Sequence, residues 1–194
     1  MILLEDSRQQ LGKHDKKKEF FEQNGIKVQR TKLYVGDYTL PTNQKVCIDT
    51  KKDIQELIGD ICGKSHVRFR EDLIRAQESG IQLIILVENE GGEIGHTGIF
   101  NQTILDLSEL HSWKNPRLFI MKNSGDVIGY YKNGRPKYRK VQKYPSATKG
   151  VTLMKACMTM QQKYGVKFLF CDPIESGAII IDLLTGGGIN AEKN

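Results

Sequence analysis

Long apolar runs are missing from this 194-residue sequence, and none approaches the ~20 residues that a membrane-spanning helix requires. A secretory leader is missing too, because Ile2-Leu3-Leu4 is followed at once by Glu5-Asp6. Cysteine is sparse and unpatterned. Cys47, Cys62, Cys157 and Cys171 show no C-x-x-C spacing and lie among apolar residues, so they read as reduced core side chains and exclude a zinc site or disulfide framework. No internal repeat or low-complexity segment occurs. These absences predict a soluble, cytoplasmic chain with no membrane partner. Its length suits one ordinary hydrophobic core, expected over residues 1–185.

Acidic charge is the next deficit. Twenty-nine Lys+Arg against 23 Asp+Glu leave a formal net charge of +6, a moderate bias compatible with a polyanionic partner. The deficit is concentrated in residues 130–150, which contain no Asp or Glu. There Lys132, Arg135, Lys137, Arg139, Lys140, Lys143 and Lys149 alternate with Tyr130, Tyr131, Tyr138 and Tyr144. Basic side chains pair with phosphates, and tyrosines stack on bases. A solvated loop is the ordinary explanation of a charge run, but the lack of compensating acids makes 130–150 a candidate nucleic-acid contact loop.

Apolar spacing sets the element order. Ile2–Leu4 reads as a buried strand. Residues 15–23 read as a helix with Phe20 and Phe21 inward and Lys16, Lys17 and Lys18 outward, stopped by Asn24-Gly25. A strand over 26–34 and two more within 34–51 predict a three-strand antiparallel segment. Ile54, Leu57, Ile58 and Ile61 mark an amphipathic helix. A second helix over 67–79 turns Phe69, Leu73, Ile74 and Ala76 inward. Its outer face carries Arg68, Arg70, Glu71, Asp72 and Arg75, with Glu71 and Arg75 spaced to pair. Ile81–Val87 is nearly all apolar, as in a central strand covered on both faces, and ends in Glu88. The glycine-rich stretch 90–98 reads as a loop and does not fit a phosphate cradle. A helix over 103–113, a strand over 117–121, a helix over 151–164, a strand over 166–171 and a helix over 173–184 follow, then a flexible tail over 186–194. The predicted class is α/β, with a mixed β-sheet flanked by helices.

The chemistry-bearing stretch is Tyr34 to Lys51, two short strands joined by a Pro/Asn turn. Asp37 is expected at the end of the first strand. Asp49 and Lys51, two apart on the second, share a face, with Val46 and Ile48 suited to burial. Two carboxylates offer Mg²⁺ hard oxygen ligands and leave its other positions to water and phosphate. A neighbouring lysine can orient or deprotonate water, or offset charge on the phosphate. The same Asp-x-Lys on an exposed strand face is otherwise a solvated ion pair worth ~0–1 kcal/mol.

In four places the sequence resembles the XPF-type structure-specific endonucleases of the PD-(D/E)xK nuclease superfamily: Asp6-Ser7-Arg8-Gln9, Gly36-Asp37-Tyr38, Ile48-Asp49-Thr50-Lys51, and the strand ending in Leu86-Val87-Glu88. The resemblance covers roughly residues 2–88. It implies a restriction-endonuclease-like fold and a Mg²⁺-dependent DNA endonuclease (Mn²⁺ substituting) acting on branched or flapped DNA. Asp37 and Asp49 then look like metal-binding carboxylates, Lys51 like the catalytic lysine, Asp6 like a further metal-site carboxylate and Arg8 like a supporting basic residue. Arg68, Arg70 and Arg75, with Lys132, Arg135, Lys137, Arg139, Lys140 and Lys143, become candidate DNA contacts, and Glu71 a further site candidate.

Departures from the family pattern are Gln9 for a glutamate, Thr50 for an arginine, and an acid that arrives one position late as Glu56. No tandem helix-hairpin-helix module follows, as in a standalone nuclease domain of the bacterial or phage kind. Symmetric, resolvase-like cutting would require a homodimer, for which the residues identify no interface. Two other readings compete: a nucleic-acid-binding module that keeps the fold without activity, and a basic scaffold that binds only protein.

Overall fold

The computed structural model describes residues 1–9 and 15–187. Its frame is a six-stranded mixed sheet built from β1 (Ile2–Asp6), β2 (Lys27–Thr31), β3 (Tyr38–Leu40), β4 (Asn43–Lys51), β5 (Gln82–Glu88) and β10 (Lys167–Cys171). In space their order is β10-β5-β4-β3-β1-β2. β10, β5 and β4 are parallel neighbours; β3 runs antiparallel between β4 and β1.

The apolar run of β5 behaves as its composition requires. Leu83, Ile85 and Val87 enter one core, while Ile84 and Leu86 enter the other. The first core lies beneath α2 (Ile54–Cys62), α3 (His66–Glu78) and α4 (Gly150–Tyr164). The second lies beneath α1 (Asp15–Gln23) and α5 (Ser176–Thr185). This is the mixed sheet with flanking helices expected from the sequence. Among the described residues no helix is long and apolar enough to cross a membrane.

Several local expectations are corrected. The antiparallel trio is β1-β3-β4, because β2 returns through α1 to pair parallel with β1 at the sheet edge, as a strand–helix–strand unit does. Residues 103–113 form only a short 3₁₀ helix, Leu107–His111, started late by a capping box of Asp106 and Glu109. The strand expected at 117–121 is a second 3₁₀ turn, Pro116–Phe119, capped by Asn115 with Pro116 in the first position.

Between that turn and α4, β8 (Met121–Tyr130) and β9 (Pro136–Gln142) form a separate antiparallel ribbon. The basic segment expected as a loop is thus largely one arm of a hairpin. A further two-residue pair, β6 (Gly92–Glu93) with β7 (Phe100–Asn101), closes the glycine-rich loop.

Lys17 overturns the outward reading of the triple lysine. It is buried, and its ammonium is paired with Glu88 at the end of β5. Position 17 stands three and four residues before Phe20 and Phe21, so it shares their inward helix face. Cys47, Cys157 and Cys171 are buried as expected, but Cys62, the last residue of α2, is exposed. The tail expected from 186 onward lies outside the described residues beyond 187.

Candidate active site

Parallel β4 and β5 finish side by side, with Asp49 opposite Ile85 and Lys51 opposite Val87. Both faces of β4 are covered, since Cys47 enters the core under α2–α4 and Ile48 the core under α1 and α5. The period of two therefore turns Asp49 and Lys51 toward α2 and α3, into a half-covered cleft and not onto an open strand face. Lys51 retains only 8 % exposure. Its ammonium lies 5.3 Å from the centre of the Phe69 ring on α3.

Asp37 immediately precedes β3, so it stands at the entry of that strand, not at the strand end expected from the sequence. Gly36 adopts φ +72°, and an added Cβ would stand 3.0 Å from the Ile48 carbonyl oxygen, so the turn favours glycine on two counts. The backbone of Asp37 is strapped on both sides. Its amide donates to Ile48 O at 2.7 Å and its carbonyl accepts from Asp6 N at 2.8 Å. Asp37 Oδ2 accepts from the Thr50 amide at 2.7 Å and from the Thr50 hydroxyl at 2.8 Å. The residue that replaces the family arginine thus fixes one of the two carboxylates.

Lys51 Nζ sits 2.8 Å from Asp49 Oδ2 and 2.8 Å from Asp60 Oδ2. Burial alone would lower the Lys51 pKa, but the two carboxylates outweigh it and hold the ammonium above the ordinary lysine range. The Asp49 carboxyl moves upward, first through burial and then through the charges of Asp37 and Asp60, with Lys51 opposing. The two hydrogen bonds from Thr50 engage Oδ2 of Asp37, and Lys51 approaches Oδ2 of Asp49.

These side chains line a cleft of about 690 Å³ together with Gln9, Lys52, Glu56, Ser65, Arg68, Phe69 and Asp72. Its wall carries five carboxylates (Asp37, Asp49, Glu56, Asp60, Asp72) against three bases (Lys51, Lys52, Arg68). A phosphodiester would be repelled from this cleft unless a cation offset the excess. Among the described residues no three His, Cys, Asp or Glu side chains form a ready-made cation cage.

The other sequence candidates separate. Asp6 is committed: Arg8 Nε and Nη2 donate to its oxygens at 2.9 and 2.5 Å, and the Arg8 and Leu33 amides donate at 2.7 and 3.2 Å. Burial opposes ionisation of Asp6, but these bonds prevail and hold its carboxyl below the usual range. Asp6 and Arg8 thus form a brace beside Asp37, and both line a smaller pocket of about 160 Å³ that Asp37, Asp49, Arg68 and Asp72 also line. Glu56 is engaged as a helix cap, accepting from the Lys52 amide at 2.9 Å. Arg75 pairs with Asp72, not with Glu71. Arg70 donates to the Tyr164 hydroxyl at 3.1 Å. Of the three α3 arginines only Arg68 lines the cleft, and Glu71 does not. The six basic candidates from Lys132 to Lys143 lie on or beside the separate ribbon, not in the cleft.

Asp60 escaped the sequence reading. Its one signal is position, at the border of the Ile54/Leu57/Ile58/Ile61 stripe that packs α2 against the sheet. Gln9 Oε1 and Glu5 Oε1 both lie 3.2 Å from the Tyr38 hydroxyl, which shares its single proton between them.

The family model described as the ERCC4 domain matches residues 6–184. Among solved structures, XPF from Aeropyrum pernix superposes with a TM-score of 0.53 at 14% identity, covering 97% of this chain and 62% of that one. XPF from Aeropyrum pernix in complex with DNA superposes with the same TM-score at 16% identity, covering 96% and 64%. The chain thus spans less than two thirds of the archaeal chains whose fold it shares. No curated protein matches it in sequence.

Proposed function

The chain belongs to the ERCC4 domain family, and from that membership together with the cleft we propose that it is a metal-dependent DNA endonuclease acting on branched or flapped DNA. The observation that carries this is the convergence of Asp49 and Lys51, at the end of β4, with Asp37, just before the antiparallel β3, in a cleft whose excess of carboxylates calls for a cation. The fold shared with an XPF whose structure contains DNA supports the choice of substrate.

The donor set fits a hard divalent ion. Its carboxylates offer hard oxygen, Thr50 engages Oδ2 of Asp37, and burial among like charges disfavours the bare Asp49 anion. Asp37 and Asp49 would hold Mg²⁺, or Mn²⁺ in its place, with water and phosphate oxygens completing the shell. When bound, such an ion supplies Lewis-acid stabilisation of charge on the phosphoryl oxygens.

The chain's own residues do the positioning. Thr50 fixes Asp37 through two hydrogen bonds, and Asp60 holds Lys51 beside Asp49. Lys51 is kept protonated, so it serves as a donor to the attacking water or to a phosphate oxygen, not as a base. Water attacks the phosphorus in line with the leaving oxygen. Arg68 on the cleft wall pairs with a neighbouring phosphate.

The test is cleavage of a labelled panel (duplex, single strand, flap, fork, four-way junction) in Mg²⁺, Mn²⁺ or EDTA, beside Lys51→Ala. Metal-dependent cutting that the substitution abolishes supports the nuclease, and the preferred substrate identifies its step. Binding without cutting in either metal would overturn the catalytic assignment in favour of an inactive binding module.

A further inference from the structure

The β8–β9 ribbon packs against little but itself. Every residue of β8 is exposed except the half-buried Gly129, and on β9 only Pro136, Tyr138 and Val141 are even half-covered. An isolated two-stranded hairpin is marginal in water, so a ribbon bare on both faces is a structure awaiting an occupant. It also exposes apolar surface at its far end, where Tyr130 and Tyr131 are 73% and 56% accessible. The turn there is ordered, with Gly134 N donating to Tyr131 O and Tyr131 N to Arg135 O, both at 2.9 Å.

The root of the ribbon is anchored to the site. Lys143 N donates to Ile120 O at 2.7 Å, and Gln142 Nε2 to Leu118 O at 2.9 Å. Buried Asn115, just before the ribbon, donates to Thr148 O, just after it, at 2.8 Å. It also accepts from Gln55 Nε2 at 2.8 Å. Gln55 belongs to α2, the helix that carries Asp60. A hydrogen-bonded line therefore joins the arm to the element that positions the candidate catalytic lysine.

Charge identifies the occupant. Residues 121–148 contain seven Lys and Arg and one acid, Asp126. Along β9, Lys137 and Arg139 share one face while Lys140 shares the other with Tyr138. A ribbon resting on a flat anionic surface needs cations on one face only. Cations on both faces suit a groove with a phosphate wall on each side. The major groove of B-DNA, ~12 Å wide, admits a two-stranded ribbon. The bulged β8 is paired along the seven residues of β9, which extend about 23 Å, roughly two thirds of a helical turn. The register shifts between Asn123 and Val127 and between Val127 and Gly129 add the extra twist that following a groove demands.

We propose that the β8–β9 ribbon is an arm that lies in the major groove of a duplex stem beside the cleavage point, so that the substrate is DNA with a duplex arm of at least about two thirds of a helical turn. This deepens the nuclease reading of the cleft and rests on it for the identity of the polyanion.

The experiment uses the full chain and its Lys137→Gln/Arg139→Gln/Lys140→Gln variant, all three positions being exposed. Binding is followed by fluorescence anisotropy across a salt series on a 20-base-pair duplex and a 20-nucleotide single strand. The parent is expected to bind the long duplex at least tenfold more tightly than the single strand. It should also protect guanine N7 from dimethyl sulfate over about two thirds of a turn. The triple variant should lose about tenfold or more of that affinity, reduce the salt slope by about 2–3, and lose the protection. Its divalent-cation-dependent rise in melting temperature should be unchanged, so failure of the arm is distinguishable from failure of the cleft. Equal parental affinity for single strand and long duplex, unchanged duplex binding in the variant, or unprotected guanine N7 in a saturated parental complex would each overturn the proposal.

Discussion

Lys51 Nζ is gripped from two sides, 2.8 Å from Asp49 Oδ2 on its own strand and 2.8 Å from Asp60 Oδ2 on the following helix. Asp49 is a proposed metal ligand, so once it turns to a cation Asp60 becomes the contact that keeps Lys51 over the cleft. Asp60→Asn retains the shape and removes the charge. A hydrogen bond to a charged group is worth about 1.5–3 kcal/mol, so turnover should fall about 10- to 100-fold. KM for DNA should not rise, because Asp60 itself repels phosphate and its loss relieves that repulsion. Steady-state cleavage kinetics check this, and a full-rate Asp60→Asn enzyme would show that Lys51 needs no second anchor.

Cation binding should be visible without any DNA. At a hundred times its Kd a ligand that binds only the folded state adds about 2.7 kcal/mol. Mg²⁺ or Mn²⁺ should therefore raise the melting temperature of the parent, and Asp37→Ala should remove the rise. Thr50→Val takes away one of the two donors to Asp37 Oδ2 and keeps the amide. It should weaken the apparent cation affinity without abolishing it. Calorimetric scans with and without EDTA decide the matter, and a rise that survives Asp37→Ala would move the metal site elsewhere.

The pairing of Lys17 with Glu88 joins α1 to the end of β5 in a setting where both side chains are nearly inaccessible. Glu88→Gln leaves the ammonium without its counter-charge and should destabilise the fold by about 3–5 kcal/mol. Replacing both partners, Lys17→Met with Glu88→Leu, should restore most of the loss, because no uncompensated charge is then buried. Urea unfolding midpoints measure both. A neutral Glu88→Gln variant would contradict burial of the pair.

Legibility from sequence follows burial. β5 announced itself because two cores cover it, and α2 because one stripe of Ile and Leu faces the sheet. The shared face of Asp49 and Lys51 was legible because a period of two fixes it, whereas Asp37, on another segment, rested on the resemblance of Gly36-Asp37-Tyr38 to the family motif. The ribbon was not legible, since a strand pair bare on both faces carries no apolar alternation. Lys17 was obscured by its neighbours, three consecutive lysines being read as one solvated face although only two point away from the core. Asp60 and the displacement of β2 to the sheet edge depend on contacts between distant segments, which local spacing does not encode.

Asp6 separates a brace from a ligand. Its carboxylate is 2% accessible and saturated by Arg8 and the Leu33 amide, and its own amide donates to the Asp37 carbonyl. Its pKa is lowered on folding, so it contributes stability that is fully present above the unfolded value of about 3.9 and lost as pH falls through the folded value. Arg8 stays charged throughout and adds no slope of its own over this range. Asp6→Asn should thus cost about 1–3 kcal/mol near pH 7. The gap to the parent should hold down to about pH 5 and close below about pH 4. Denaturant titrations at stepped pH read this directly, and a gap that widened in acid would contradict the assignment. The melting rise induced by Mg²⁺ or Mn²⁺ discriminates further. A brace leaves Asp6→Asn with that rise largely intact, because Asp37 and Asp49 still line the cleft, whereas a third ligand would take most of it away.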